Sequence, residues 1–270
     1  MQRKLHKNCK QMKQHFFKYQ ACGNDFIMID NRNARFDTDN FTVISQMCLR
    51  HFGIGADGLI LLEEEANKSY RMRYFNPDGK EGSMCGNGGR AFVAFCKSLE
   101  LMDKKMQFKA IDGIHEGEVL VDKHPNYHIA LSMQNCTAKS AEFINTGSPH
   151  HIVEVKDLQN YDVLKHGKEI RYSAKYPEGV NVNFTEKKDE NIHVRTYERG
   201  VEDETLACGT GVTAVALSYA LKENKEGQLH YQIHTKGGIL ELDFKKNNHH
   251  FEKILLTAET RFVFEGDFTI

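Results

Sequence analysis

The amino-acid sequence predicts an α+β protein of two similar domains, each a mostly antiparallel β-sheet curled around one central helix. Three features carry that expectation. Two cysteine-glycine turns, Cys85-Gly86-Asn87-Gly88 and Cys208-Gly209-Thr210-Gly211, lie 123 residues apart in a chain of 270. Each turn leads at once into a run without charge, Ala91 to Cys96 and Val212 to Leu221, and a helix apolar on every side belongs in the middle of something. Short strand signals precede and follow both runs.

The likeness of the halves reaches beyond the turns. Residues 74–91 slide onto 197–214 without a gap, placing Tyr74 on Tyr197, Glu81 on Glu204, Cys85 on Cys208, the two turn glycines on their counterparts and Ala91 on Ala214. Six matches in eighteen positions, four of them on the turn and first helical turns, mark an internal duplication at domain scale. The division falls near Ser132 to Cys136, giving an N-terminal domain of residues 1–131 with Cys85 and a C-terminal domain of residues 132–270 with Cys208.

Apolar and β-branched runs bounded by glycine or asparagine predict strands at His15 to Tyr19, Phe26 to Asp30, Leu59 to Leu62, Tyr70 to Phe75, Gln107 to Ile111 and Glu118 to Val121. The second half repeats the habit at Tyr127 to Met133, Ile152 to Val155, Asn181 to Phe184, Ile192 to Glu198, Leu229 to His234, Gly238 to Phe244, Lys253 to Thr257 and Thr260 to Glu265. The central helices are expected over Asn87 to Leu101 and Thr210 to Lys222. Two amphipathic helices, Thr38 to Arg50 and Asp157 to Gly167, are expected on the outside.

Composition narrows the function. Apolar residues at 40% and charged residues at 27% describe a globular chain, and no stretch approaches a membrane span. A net charge of −1 with no basic helix argues against nucleic acid, so a small molecule is the expected partner. Seven irregularly spaced cysteines with no apolar signal segment before them predict free thiols in a reducing cytoplasm. Residues 1–11, rich in Lys and Arg, read as a disordered extension, with Met12 a possible natural start. Neither a Rossmann or P-loop motif nor zinc-ligand spacing occurs, and the adjacent pairs His150-His151 and His249-His250 do not supply one, so no metal site is expected.

Cysteine at a helix start has a chemical reading. The first N–H groups of a helix lack partners and favour negative charge, which is expected to shift a thiol there towards thiolate and to cradle a carboxylate beside it. Gly86, Gly88, Gly209 and Gly211 remove side chains that would hold a ligand off the backbone. One thiol could take an α-proton from one face of a carbon while the other delivers a proton to the opposite face, inverting the centre with no cofactor. Cys48 and Cys96 fall in helices and read as packing residues.

From about Met12 onward the sequence resembles the diaminopimelate epimerases, which interconvert the LL and meso forms of diaminopimelate on the route to lysine and cell-wall peptide. The resemblance rests on Gly23-Asn24-Asp25-Phe26, Gly53 to Gly58, Tyr74 to Gly79, Met84 to Gly88, Gly147-Ser148-Pro149-His150, Val180-Asn181, Tyr197 to Gly200, Glu204-Thr205 and Ala207 to Gly211, in this order and at these separations. It implies an active site between the two halves, with Cys85 and Cys208 as the acid–base pair. Gly86, Asn87, Gly209 and Thr210 would hold the carboxylate at the reacting centre. Asn24, Asn76, Asn181, Glu198 and Arg199 would grip the substrate, chiefly its far amino-acid end; Arg199 suits a carboxylate and Glu198 an ammonium. By analogy with the family, a homodimer is expected.

The sequence also departs from the family pattern. Gln20-Ala21-Cys22 stands where a His-Gly is common, Gly58 where glutamine is common and Ser148 where asparagine is common. Ser148 keeps a hydrogen-bonding group, whereas Gly58 removes a side chain from the pocket corner. Proline racemases and hydroxyproline epimerases also pair cysteines, but their first turn reads Cys-Gly-His, and the isomerase of phenazine synthesis lacks the pair. A redox sensor with a reversible disulfide, or a non-catalytic amino-acid-binding protein, is the reading from another class. Neither of those needs two anion cradles together with two thiols.

Overall fold

The computed structural model describes residues 13–65 and 69–270; the expectation for residues 1–11 lies outside them. Seven strands follow one another in chain order along the first half of the sheet: β1 (Lys13–Ala21), β2 (Asn24–Asp30), β3 (Gly58–Glu64), β4 (Tyr70–Phe75), β5 (Lys105–Ala110), β6 (Gly113–Lys123) and β7 (Asn126–Ser132). Helix α1 (Phe41–Cys48) joins β2 to β3 and helix α2 (Gly86–Ser98) joins β4 to β5. After the short β8 (Cys136–Thr137), the second half repeats this with β9 (Phe143–Asn145), β10 (Pro149–Glu154), α3 (Val163–Arg171), β11 (Asn181–Lys188), β12 (Asn191–Glu198), the short β13 (Asp203–Thr205), α4 (Gly209–Lys222), β14 (Gly227–Thr235), β15 (Gly238–Asn247) and β16 (His250–Thr269).

The duplication is visible in the pairing itself. Along β1 to β7 the neighbours are antiparallel except β2–β3 and β4–β5, which are parallel. Along β9, β10, β11, β12, β14, β15 and β16 the same sequence of directions recurs, with β10–β11 and β12–β14 parallel. Parallel neighbours cannot be joined by a tight turn, so each such pair takes a helical crossover. The sheet is therefore mostly antiparallel, with the four helices at the four parallel joints.

Burial explains why one helix of each half is inside and one outside. In β2 and β3 alternate residues face opposite ways: Phe26, Met28, Ile60 and Leu62 pack around α2, while Ile27, Ile29, Leu59 and Leu61 pack under α1. Helix α2 is buried from Gly86 to Cys96 and α4 is the centre of the second core, whereas α1 and α3 bury one stripe each. In β11, Val182 and Phe184 meet the α3 side, leaving polar Asn183 and Thr185 fully buried on the other.

Several expected boundaries move for local reasons. Helix α1 starts later than Thr38 because the Asn40 side chain accepts from the Val43 N–H, and α2 stops short of Leu101, with Glu100 at φ +58°. The expected helix from Asp157 splits into a 3-10 turn at Leu158–Asn160 and α3, which restarts where Asp162 accepts from the Lys165 N–H. The two strands expected at Lys253 to Thr257 and Thr260 to Glu265 are one strand, β16, because no turn-forming residue interrupts them. Its first part pairs with β15 and its later part with β7 and β1, so it joins the two halves into one continuous sheet. Among the described residues no helix is long and apolar enough to cross a membrane.

Candidate active site

Cys85 and Cys208 cap the two central helices with nearly the same backbone: φ −109°, ψ 123° for Cys85 and φ −121°, ψ 113° for Cys208. The two helix starts meet head to head. A Cβ on Gly209 would stand 3.5 Å from the Gly86 Cα, at van der Waals contact, so the two backbones lie side by side. The N–H groups of each helix start favour the charged form of its own sulfur, those of Gly88 and Asn87 for Cys85 and that of Gly211 for Cys208. Cys85 is half-buried and Cys208 is 8% exposed.

The expected shift towards thiolate is corrected by the structure. Burial raises both thiols, and the carboxylate of Glu198 raises them further, outweighing the helix N–H groups that act the other way. The helix starts thus limit the cost of forming a thiolate without making it the resting form. Glu198, at the end of β12, is itself raised by burial, with the Thr205 hydroxyl opposing.

Around Cys208 the polar groups form a directed chain. Thr196 donates to Asn183 Oδ1 at 3.0 Å, and Asn183 Nδ2 donates to His150 Nδ1 at 3.1 Å. The His150 proton therefore sits on Nε2, which faces Thr210 Oγ1 at 2.9 Å, and the Thr210 hydroxyl lies 3.5 Å from the Cys208 sulfur. Burial, then the charge of Arg199, holds His150 down at about 3, so this imidazole is neutral. Gly211 is required here, since a Cβ would meet Asn183 Oδ1 at 2.5 Å.

Around Cys85 the chain differs. Asn87 Nδ2 donates to Asn24 Oδ1 at 2.6 Å and to the Ala207 carbonyl at 3.3 Å, across the junction of the halves. Asn24 Nδ2 donates in turn to Asp57 Oδ2 at 3.0 Å, and Arg50 anchors Asp57 at 2.8 Å. Asn181, 3% exposed, donates to Ser148 Oγ at 2.8 Å and to the Pro149 carbonyl at 3.0 Å, and accepts from the Arg199 N–H at 2.9 Å. Ser148 thus keeps a hydrogen-bonding group beside Asn181. The Arg199 guanidinium meets the Glu178 carbonyl at 3.3 Å, and no ion pair joins it to Glu198 among the described residues. Asn76 follows β4, closes the turn to Lys80 at 2.9 Å, and turns its amide towards Gly82.

Most of the expected residues gather at the facing helix starts or bond directly to them. His150, Asn183, Asp57 and Arg90 were not singled out from sequence. His150 stood inside the Gly147-Ser148-Pro149-His150 motif, and that was its only signal. Cys48 and Cys96 are buried packing residues, and burial pushes Cys48 up to about 12.

With this geometry, the comparisons with known proteins agree on a family. The family profile described as diaminopimelate epimerase matches residues 16–136 and 142–263. The chain belongs to the diaminopimelate epimerase family. A diaminopimelate epimerase of Flavobacterium psychrophilum is 46% identical over 256 residues, covering 92% of this chain and 98% of that one. The diaminopimelate epimerase of Chlorobaculum tepidum is 40% identical, covering 93% of this chain and 99% of that one. Among solved structures, a phenazine biosynthesis protein of the PhzF family from Bacillus anthracis matches with TM-score 0.73 at 17% identity, covering 96% and 100% of the two chains. A hydroxyproline epimerase from Agrobacterium vitis with bound trans-4-hydroxy-L-proline matches with TM-score 0.68 at 10% identity, covering 96% and 92%. At such identities these likenesses show the fold alone.

Proposed function

We propose that this chain is a diaminopimelate epimerase that inverts one α-carbon of diaminopimelate by two-thiol acid–base chemistry. The observation that carries the reading is the pair of thiols on helix starts that meet head to head, Cys85 and Cys208, in a chain of this family. One sulfur, as thiolate, takes the α-proton, forming S–H as C–H breaks. The other, as thiol, gives its proton to the opposite face, forming C–H as S–H breaks. Charge is conserved, the two sulfurs exchange protonation states, and both proton transfers are covered without a cofactor.

The negative charge that develops on the α-carboxylate falls where Gly86, Asn87, Gly209 and Thr210 present the two helix starts. Glu198 and Arg199, adjacent and joined by no ion pair among the described residues, suit the ammonium and carboxylate of the far end, with Asn24, Asn76 and Asn181 as orienting amides. The enzyme so described works as a homodimer in the cytoplasm, on lysine and peptidoglycan precursors.

Single substitutions Cys85→Ser and Cys208→Ser test the mechanism. Each should lower turnover by about 10²–10⁴-fold while leaving substrate binding largely intact, because a hydroxyl is too weak an acid to be a base here. Near-normal inversion by either variant overturns the two-thiol mechanism.

A further inference from the structure

Arg90 is fully buried, the largest side chain among the described residues to be so, and sits one turn into α2. No carboxylate pairs with it among the described residues. Nη1 donates to the Gly86 carbonyl at 3.3 Å, Nη2 donates to Asn87 Oδ1 at 2.6 Å and to the Cys22 sulfur at 3.3 Å, and Nε is buried with no partner. An uncompensated buried cation is costly, and a fold keeps one only where something else gains.

Its contacts show what gains. Gly86 and Asn87 are the first residues of the helix start that faces Gly209, and Cys22 precedes the Gly23-Asn24 turn while packing into the core of the other half. Arg90 can only donate, so it takes the oxygen of the Asn87 amide and turns the nitrogen outward. That nitrogen is what meets Asn24 Oδ1 and the Ala207 carbonyl. With the amide reversed, an oxygen would face two oxygens, and the bond holding the residue before Cys208 to the opposite helix would be lost.

We infer that Arg90 is a positioning residue for the inversion: through Asn87 it sets the seat of Cys208 relative to Cys85. The inference rests on the epimerase reading above. It assigns to Cys22, a departure from the family pattern, the work of a second anchor for the same guanidinium.

The test is a double-mutant cycle of Arg90→Met with Asn87→Ala, assayed for turnover and KM on diaminopimelate. Arg90→Met should cost about 100-fold in kcat, the scale of a misplacement of about 1 Å, with a smaller change in KM. Because Arg90 acts through Asn87, the double variant should be no slower than Asn87→Ala alone. Additive losses overturn the inference. Should Arg90→Met not fold, Arg90→Lys replaces it in the same cycle, since an ammonium keeps the charge but cannot hold Gly86, Asn87 and Cys22 together. Wild-type protein inert on diaminopimelate overturns the epimerase reading and the inference with it, whereas active wild type with additive variants overturns the role of Arg90 alone.

Discussion

The Asn87 amide donates to the Ala207 carbonyl at 3.3 Å, tying the helix start that follows Cys85 to the residue just before Cys208. The two helix starts that carry the thiols are thus linked directly by a bond between the halves, in addition to the sheet that both halves share. A reaction that needs one sulfur on each face of a single carbon is sensitive to the spacing of those starts.

The pH dependence follows from the charges around the sulfurs. Burial and Glu198 raise both thiols, so the thiolate base is scarce at neutral pH and kcat/KM should rise towards alkaline pH, then fall once the second thiol also ionises. Removing the Glu198 charge lowers both. Glu198→Gln should therefore move both limbs of the kcat/KM profile to lower pH, whatever it does to the maximum. Limbs that stay in place would mean that the carboxylate does not act on the thiols.

Among the described residues the Arg199 guanidinium bonds only to the Glu178 carbonyl, and its main-chain N–H donates to Asn181 Oδ1. Arg199→Lys should weaken substrate binding by about 10–100-fold, the loss expected when one charge-assisted bond of a bidentate pair is gone. Titration of Cys85→Ser protein with diaminopimelate measures this without turnover. Equal affinity in the Arg and Lys forms removes Arg199 from the pocket.

At Gly58 the corner that is commonly glutamine in the family is filled by Tyr74. A Cβ there would meet the Tyr74 ring at 2.3 Å, and the Tyr74 hydroxyl is held by the Asp57 carbonyl at 3.2 Å. Gly58→Gln should destabilise the fold by about 1–3 kcal/mol through overpacking. The melting temperature should fall by roughly 2–4 °C for each kcal/mol. Tyr74→Ala should relieve part of that loss in the double variant, and a Tyr74→Ala change that leaves the loss undiminished would place the strain elsewhere.

The central helices and the duplication were legible because they write themselves in apolar composition and repeated turns: α2 and α4 follow the cysteines as expected, and the same order of strand directions recurs in both halves. Parallel pairing was not legible, since β2 and β3 read as short apolar runs whichever way their neighbours point. The unbroken β16 was hidden by its length, and β13 by its shortness. Within the site, glycines and cysteines announced themselves, whereas Asn183 and Arg90 did not. A polar residue on the inner face of a strand, or a cation inside an apolar helix, shows its purpose only once its partners are placed. The helix-dipole expectation for the thiols failed for the same reason: burial depends on what the other half covers.

The most direct test is proton NMR of the reduced protein with LL-diaminopimelate in heavy water and no added cofactor. The two-thiol mechanism predicts loss of the α-proton signal together with appearance of the meso isomer carrying deuterium at the inverted carbon, and loss of that inversion in both Cys85→Ser and Cys208→Ser. An inert wild-type sample, or inversion that survives either substitution, would contradict it.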